Sequence, residues 1–191
     1  MKVQSWMAAE AKLAHKIGLT PNQVSAIGII FAGLSGLVYW HWQLHPFLLA
    51  AAPIFLLISG FCDVLDGVLA RTYKKATVFG GFLDSILDRY ADAIIFFGII
   101  LGGLCNIFWG IVALTGSLLV SYARARSEAS GVKMEQVGIA ERADRLIILT
   151  VASFLSIAWL EALHWSVIIL AIVTNFTVVQ RVMHFYKSVK K

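Results

Sequence analysis

Residues 63–88 read DVLDGVLARTYKKATVFGGFLDSILD, and they join two apolar runs, one ending near Asp63 and the other beginning near Asp84. Each run is long enough to cross a bilayer. Asp63, Asp66, Asp84 and Asp88 therefore sit at the ends of membrane segments, and an unpaired charge costs up to about 2.5–3.5 kcal/mol at the centre of such a helix. On a helix Asp63 and Asp66 (i, i+3) share a face, as do Asp84 and Asp88 (i, i+4). Two such helices facing each other would make a pocket of hard oxygen ligands. Oxygen-only sites beside phosphate suit Mg²⁺ or Mn²⁺, and two ions would offset four carboxylates. The depths agree: Pro46 to Asp63 and Asp88 to Leu104 both span about 24–26 Å at 1.5 Å per residue, which predicts both acid pairs at a similar level.

The complete pattern is D-x2-D-G-x2-A-R-x8-G-x3-D-x3-D, filled by Asp63, Asp66, Gly67, Ala70, Arg71, Gly80, Asp84 and Asp88. Eight fixed positions at this spacing resemble the signature of the CDP-alcohol phosphotransferases. A plainer reading, with the acids as solvated helix-end charges paired to Arg71, Lys74 and Lys75, leaves the register of the two glycines unexplained. The resemblance implies that Asp63, Asp66, Asp84 and Asp88 surround the metals, with Asp88 also the general base. It implies that Gly67, Ala70, Arg71 and Gly80 meet the CDP moiety, the glycines by close backbone approach and Arg71 as a cation for a diphosphate oxygen. Thr20, Pro21 and Asn22 resemble a triplet at the entrance of the family's first membrane helix. A homodimer is also implied by the resemblance alone.

Composition excludes an ordinary soluble domain. Among 191 residues 59% are hydrophobic, and the mean hydropathy is +0.80, which predicts a single all-α integral membrane domain over 1–191. The net charge of +5 comes from residues scattered around hydrophobic spans rather than from a basic stripe, so the expected partner is the anionic bilayer surface and not nucleic acid. Cys62 and Cys105 fall at opposite ends of successive spans, too far apart to pair. The first twenty residues have no continuous apolar core, so a cleaved signal peptide is not expected.

Val3, Trp6, Leu13 and Ile17, with Lys2, Lys12 and Lys16 between them, predict an amphipathic surface helix over 1–18. Thr20 and Pro21 read as the cap and first turn of the next helix. Six transmembrane helices are expected within 20–186, over Gln23–Trp42, Pro46–Arg71, Gly80–Leu104, Ile107–Arg126, Arg142–Trp159 and Leu163–Tyr186. Gly28, Gly33 and Gly36 suit close helix packing. All 16 Lys and Arg lie at or near one set of ends, while the opposite loops carry none. By the positive-inside rule this predicts a multi-pass cell-membrane protein with both termini and the acids on the cytosolic side. Trp40, Trp42, Trp109, Trp159 and Trp165 mark the far side as an aromatic belt. His41, His45 and His164 read as interfacial residues, since no third metal ligand stands beside them.

A second cluster, SYARARSE at 121–128 and GIAERADR at 138–145, is expected to bring Arg124, Arg142, Arg145 and Arg181 together beside the acids. Arg181 lies inside an apolar span, where it should face a polar cavity. Several guanidiniums in one cavity suit an acceptor that is itself a phosphate ester. These segments resemble the family's branch that uses inositol phosphate. The implied reaction transfers the lipid phosphate of CDP-diacylglycerol or CDP-archaeol to inositol 1-phosphate and releases CMP, with glycerol 3-phosphate as the alternative acceptor. An ion transporter could also use intramembrane carboxylates, but would not need the DG and AR positions. Asp92, one turn beyond Asp88, reads as a salt bridge to Arg89 or to a neighbouring helix.

Overall fold

Thr20 opens the bundle with the cap that its sequence predicts. Its side chain accepts a hydrogen bond from the Gln23 amide at 3.4 Å, the Gln23 side chain accepts from the Thr20 amide at 2.9 Å, and Pro21 occupies the first turn. From this start the computed structural model describes residues 7–134 and 137–190. Among the described residues it is built of α-helices with one short 3-10 turn at Trp42–Leu44. The helices are α1 Ala8–Lys16, α2 Pro21–Trp40, α3 Pro46–Thr72, α4 Val78–Leu101, α5 Ile107–Ala129, α6 Arg142–Leu155 and α7 Glu161–Val189. Helix α2 packs between α3 and α4, α6 lies against α3 and α7, and α5 lies against α7 and α4.

The protein is an all-helical membrane protein in which α2, α3, α5 and α7 are long and apolar enough to cross a bilayer. The other two expected spans fall short of that standard for different reasons. Helix α4 has 24 residues, but Asp84, Asp88, Arg89 and Asp92 place four charges within its first fifteen. Helix α6, expected to reach Trp159, ends at Leu155 after 14 residues, about 21 Å of helix. Ser156 turns back to donate to the Ser153 carbonyl at 2.7 Å.

Helix α1 is nine residues long, half of the predicted 1–18, and Lys2, Val3 and Trp6 lie outside the described residues. Its small face, Ala11 and Ala14, is buried against Val24 and the α3 residues Leu65, Val68 and Leu69. Leu13 and Ile17 point outward. The helix is thus amphipathic in an unexpected sense, with alanines toward the protein and its large apolar residues free for lipid.

Close packing runs through α2 and α4. A Cβ on Gly98 would overlap the Gly36 carbonyl oxygen, and one on Gly36 would stand 2.7 Å from the Ile94 carbonyl oxygen, so the two backbones touch. Gly28 approaches Cys62 on α3, with 3.1 Å available to a Cβ; Gly33, expected to pack likewise, faces no neighbour within 4 Å. Tyr39 is fully buried, and its hydroxyl lies 2.6 Å from Ser153 Oγ, tying α2 to α6. At the same end Trp42 Nε1 donates to the Gly102 carbonyl at 2.8 Å. The histidines there serve the backbone: His41 Nδ1 is 3.0 Å from the Leu37 carbonyl, while His45 and His164 accept from the amides of Phe47 and Asn106. Cys62 and Cys105 are buried and unpaired.

Gly98→Ala should therefore lower the melting temperature in detergent by the equivalent of about 1–3 kcal/mol, because no side chain can move aside from a backbone clash. Gly33→Ala, in α2, should be neutral or stabilising by up to about 1 kcal/mol. Equal melting temperatures for the two variants would contradict the packing described.

Candidate active site

The acids converge as their spacing predicts. Asp63 on α3 and Asp84 and Asp88 on α4 each offer a carboxylate oxygen, and these oxygens lie within 4.8 Å of one another. Asp66 is more deeply buried and stands beside the trio. It accepts a hydrogen bond of 2.5 Å from Ser25 Oγ, and Ser25 also lies 3.2 Å from the Pro21 carbonyl. Sequence reading passed over Ser25. The available signal was its place one turn after Pro21, on the face that also carries Asn22.

The gap among the acids has room for about one water-sized sphere, roughly 10 Å³. Its polar lining consists of oxygens together with one guanidinium, which is a donor set for a hard cation such as Mg²⁺ or Mn²⁺ and not for a soft metal. A cation also suits the charge count of the ionised acids. Asp63, Asp66, Asp84, Asp88 and Asp92 are opposed by Arg142, Arg145 and the more exposed Arg89, which leaves two negative charges. Arg71, Lys74 and Lys75 make no ion pair among the described residues, so the plainer reading of the acids as partners of those cations fails.

On one side of the acids lies a cavity of about 200 Å³ lined by Pro21, Asn22, Asp66, Gly67, Ala70, Arg71, Lys75, Thr77 and Gly80. All four residues assigned to the CDP moiety thus share one wall with the Pro-Asn pair. A Cβ on Gly80 would lie 2.9 Å from Thr77 Oγ1 and 3.1 Å from Asn22 Oδ1, and one on Gly67 would lie 3.2 Å from the Arg71 guanidinium. Thr77 caps α4 by accepting from the Gly80 amide at 2.9 Å. Both glycines therefore keep the cavity open.

On the other side is a cavity of about 190 Å³ lined by Asp88, Arg89, Ser121, Arg124, Arg142, Arg145 and Arg181. The four expected arginines do come together there, but they are not equally free. Arg145 is buried, with Nη2 2.5 Å from Asp92 Oδ2. This resolves the Asp92 partner in favour of the neighbouring helix. Arg181 is also buried; Nε donates to the Val137 carbonyl at 2.9 Å and Nη1 to the Val120 carbonyl at 2.5 Å. Thr177 Oγ1, one turn earlier on α7, accepts from the amides of Ile139 and Ala140. Gly138 turns with φ of 115°, and a Cβ there would run into Thr177. Together these contacts pin residues 137–140 to α7 and so set where Arg142 begins α6. Arg124 pairs with Glu128 at 2.9 Å on the exposed rim.

Arg142 is the bridge. Its Nη1 lies 2.7 Å from Asp63 Oδ2 and 2.8 Å from Asp88 Oδ1, and its Nε lies 3.6 Å from Asp92 Oδ1. A capping box between Glu141 and Asp144 holds the helix start from which it projects.

Comparison with known proteins places this arrangement. Residues 18–179 match the profile of the CDP-alcohol phosphatidyltransferase family. The archaetidylinositol phosphate synthase of Pyrococcus horikoshii is 39% identical, with 99% of this chain and 95% of that protein aligned. Two crystal structures of the Mycobacterium tuberculosis phosphatidylinositol phosphate synthase are similar throughout. The one with CDP-DAG bound has a TM-score of 0.80 at 28% identity and covers 93% of this chain and 92% of its own. The one in complex with manganese and citrate has a TM-score of 0.79 at 29% identity and covers 93% and 88%. Motif, helix arrangement and sequence similarity over nearly the whole length lead to one conclusion: the chain belongs to the CDP-alcohol phosphatidyltransferase family.

Proposed function

We propose that the protein transfers the lipid-bearing phosphate of a CDP-lipid to a hydroxyl of inositol 1-phosphate, giving a phosphatidyl- or archaetidylinositol phosphate and CMP. The observation that carries this reading is the position of the acid cluster between two cavities, one walled by Gly67, Arg71 and Gly80 and the other by five arginines, Arg89, Arg124, Arg142, Arg145 and Arg181. Support for the acceptor comes from the relatives, named as inositol phosphate lipid synthases.

Mg²⁺ or Mn²⁺, held by Asp63, Asp84 and Asp88 with Asp66 beside them, would supply charge neutralisation at the diphosphate. The charge count favours two ions: they would turn the surplus of two negative charges into a surplus of two positive ones, which the diphosphate balances. Gly67 and Gly80 leave room for the nucleotide, and Arg71 on the same wall offers a cation to a phosphate oxygen. Of the four motif acids, Asp88 is the one that also lines the basic cavity, which supports its role as the general base. It takes the proton of the acceptor hydroxyl, that oxygen bonds to the lipid-bearing phosphorus, and the bond from phosphorus to the CMP oxygen breaks. Arg124, Arg142, Arg145 and Arg181 surround the acceptor's own phosphate, with Arg124 and Arg142 making direct contact and the other two shaping the cavity. The chain acts as one domain over 1–191, with α4 and α6 completing a six-helix membrane bundle, both termini and the site on the cytosolic side, and two copies forming a homodimer. The grouping of basic residues at the acid end supports that orientation.

Purified protein with Mg²⁺ or Mn²⁺ should release CMP from CDP-archaeol or CDP-diacylglycerol when given inositol 1-phosphate. Release should be much slower with glycerol 3-phosphate, and slower still with free inositol or serine. Equal use of inositol and inositol 1-phosphate would refute the role of the arginine cavity, and a preference for glycerol 3-phosphate would replace the acceptor.

Asp66→Asn should abolish turnover in a folded protein, as chelation should. Asp88→Asn should lower kcat by about 10²–10⁴-fold while CDP-lipid still binds; near-normal turnover would remove Asp88 from the base role.

Arg124→Gln should raise the acceptor KM by roughly 10–150-fold, the worth of a charge-assisted hydrogen bond of about 1.5–3 kcal/mol, and leave the CDP-lipid KM unchanged. An unchanged acceptor KM would assign Arg124 to membrane topology alone.

A further inference from the structure

Among the described residues, only Asp88 and Arg142 line both the acid pocket and the basic cavity. The Arg142 guanidinium holds Asp63 Oδ2 and Asp88 Oδ1 at 2.7 and 2.8 Å, and these carboxylates are two of the three that cluster closely enough to share an ion. A small dication binds its oxygens at about 2.0–2.1 Å, and Arg142 Nη1 already stands against one oxygen of each of these two carboxylates. Two cations so close would also repel. Arg142 and a metal ion therefore compete for the same carboxylates.

Arg142 is poised to give way. Its Nε and Nη1 are buried, yet neither makes an aligned hydrogen bond, so charge rather than direction holds it. A second acid is at hand: Asp92 Oδ1 lies 3.6 Å from Nε, on the same helix as Asp88 but one turn deeper. Arg145 already pairs with the other Asp92 oxygen, so this carboxylate anchors both arginines at the edge of the basic cavity.

We propose that Arg142 couples the two halves of the site: a divalent ion binding at Asp63 and Asp88 displaces its guanidinium into the basic cavity, where it binds the acceptor phosphate. Metal and phosphorylated acceptor then bind cooperatively, because each favours the same position of one side chain. By linkage, the phosphate that draws Arg142 away must tighten metal binding by the factor by which the metal tightens phosphate binding. This rests on the reading of the basic cavity as the acceptor site.

The test is a Mn²⁺ titration of the purified full-length protein in detergent, followed by the electron paramagnetic resonance of free Mn²⁺, with and without saturating inositol 1-phosphate. In the wild type, inositol 1-phosphate should tighten Mn²⁺ binding by about 5-fold or more, the lower end of typical coupling. Arg142→Gln should bind Mn²⁺ at least as tightly without the acceptor as the wild type does with it, and inositol 1-phosphate should add little. Arg142→Lys separates competition from simple charge, since it keeps a positive charge on a shorter, unforked side chain that lacks Nη1, the one nitrogen lying against both Asp63 and Asp88. It too should bind Mn²⁺ more tightly than the wild type. If Arg142→Lys matches the wild type while Arg142→Gln tightens, the effect is through-space charge and the proposal is overturned. It is likewise overturned if Arg142→Gln leaves Mn²⁺ affinity unchanged or lowers it. Should Arg142→Gln not be recovered folded, the Lys variant and the wild-type coupling decide alone. CMP release by the wild type, measured in parallel, distinguishes the two levels: turnover without coupling removes only this inference, whereas no turnover with inositol 1-phosphate removes the assignment of the acceptor.

Discussion

Five carboxylates share one end of a helix bundle in which Asp66 and Asp92 are almost wholly enclosed, and the rest of the structure answers to that concentration of charge. In a low-dielectric setting such a group cannot stay ionised without cations, because the cost of leaving even one buried charge unpaired is several kcal/mol. The chain supplies part of the compensation from α6, through Arg142 and Arg145, and part from α4 itself through Arg89. What remains negative is what a metal-dependent transfer of phosphate requires. The same acids explain why α4, long enough to span a membrane, is too charged over its first fifteen residues to read as an apolar span.

The supporting architecture serves to keep the arginine-bearing segment in place. Helix α6 is short, and its start is defined by a loop that Arg181 and Thr177 fasten to α7 through backbone carbonyls and amides. Buried guanidiniums bonded to main-chain oxygen position a loop as firmly as they would bind a ligand. Arg181 is thus a residue of the site whose visible contacts are with the protein. On the opposite side, the touching backbones at Gly36 and Gly98 bring α2 and α4 close enough for Asn22 to meet Gly80. Packing in the middle of the bundle and access at its acid end are therefore linked.

Archaeal and bacterial relatives of this chain carry names that differ in the lipid and agree in the inositol phosphate product. The cavity on the motif side is lined by six of the eight motif residues, Asp66, Gly67, Ala70, Arg71, Gly80 and Asp84, together with Pro21 and Asn22, and the basic cavity by residues of α4, α5, α6 and α7. The acid pocket between them shares Asp88 and Arg142, one anionic and one cationic, with the basic cavity.

The amino-acid sequence by itself determined the all-helical membrane class, the capped start at Thr20, and the pairing of Asp63 with Asp84 and Asp88. Each rests on periodicity, turn chemistry or local spacing, which act within a few residues. Motif glycines at 67 and 80 and the gathering of Arg124, Arg142, Arg145 and Arg181 were also legible, the first from pattern and the second from charges set beside apolar spans. Only the tertiary structure decided which arginine meets which acid. Spacing could not foresee that Arg142 reaches Asp63 and Asp88, that Asp92 belongs to Arg145, that Ser25 holds Asp66, or that Arg181 is committed to Val137 and Val120. These partners lie from 41 to 79 residues apart in the chain, and no local rule relates them. The same holds for Gly33, which has the composition of a packing residue but faces no neighbour, and for α6, which ends at Leu155 although apolar residues follow. Charge and hydrophobicity specify what must be neutralised or buried; the choice of partner is made by helices from distant parts of the chain that meet only when the bundle forms.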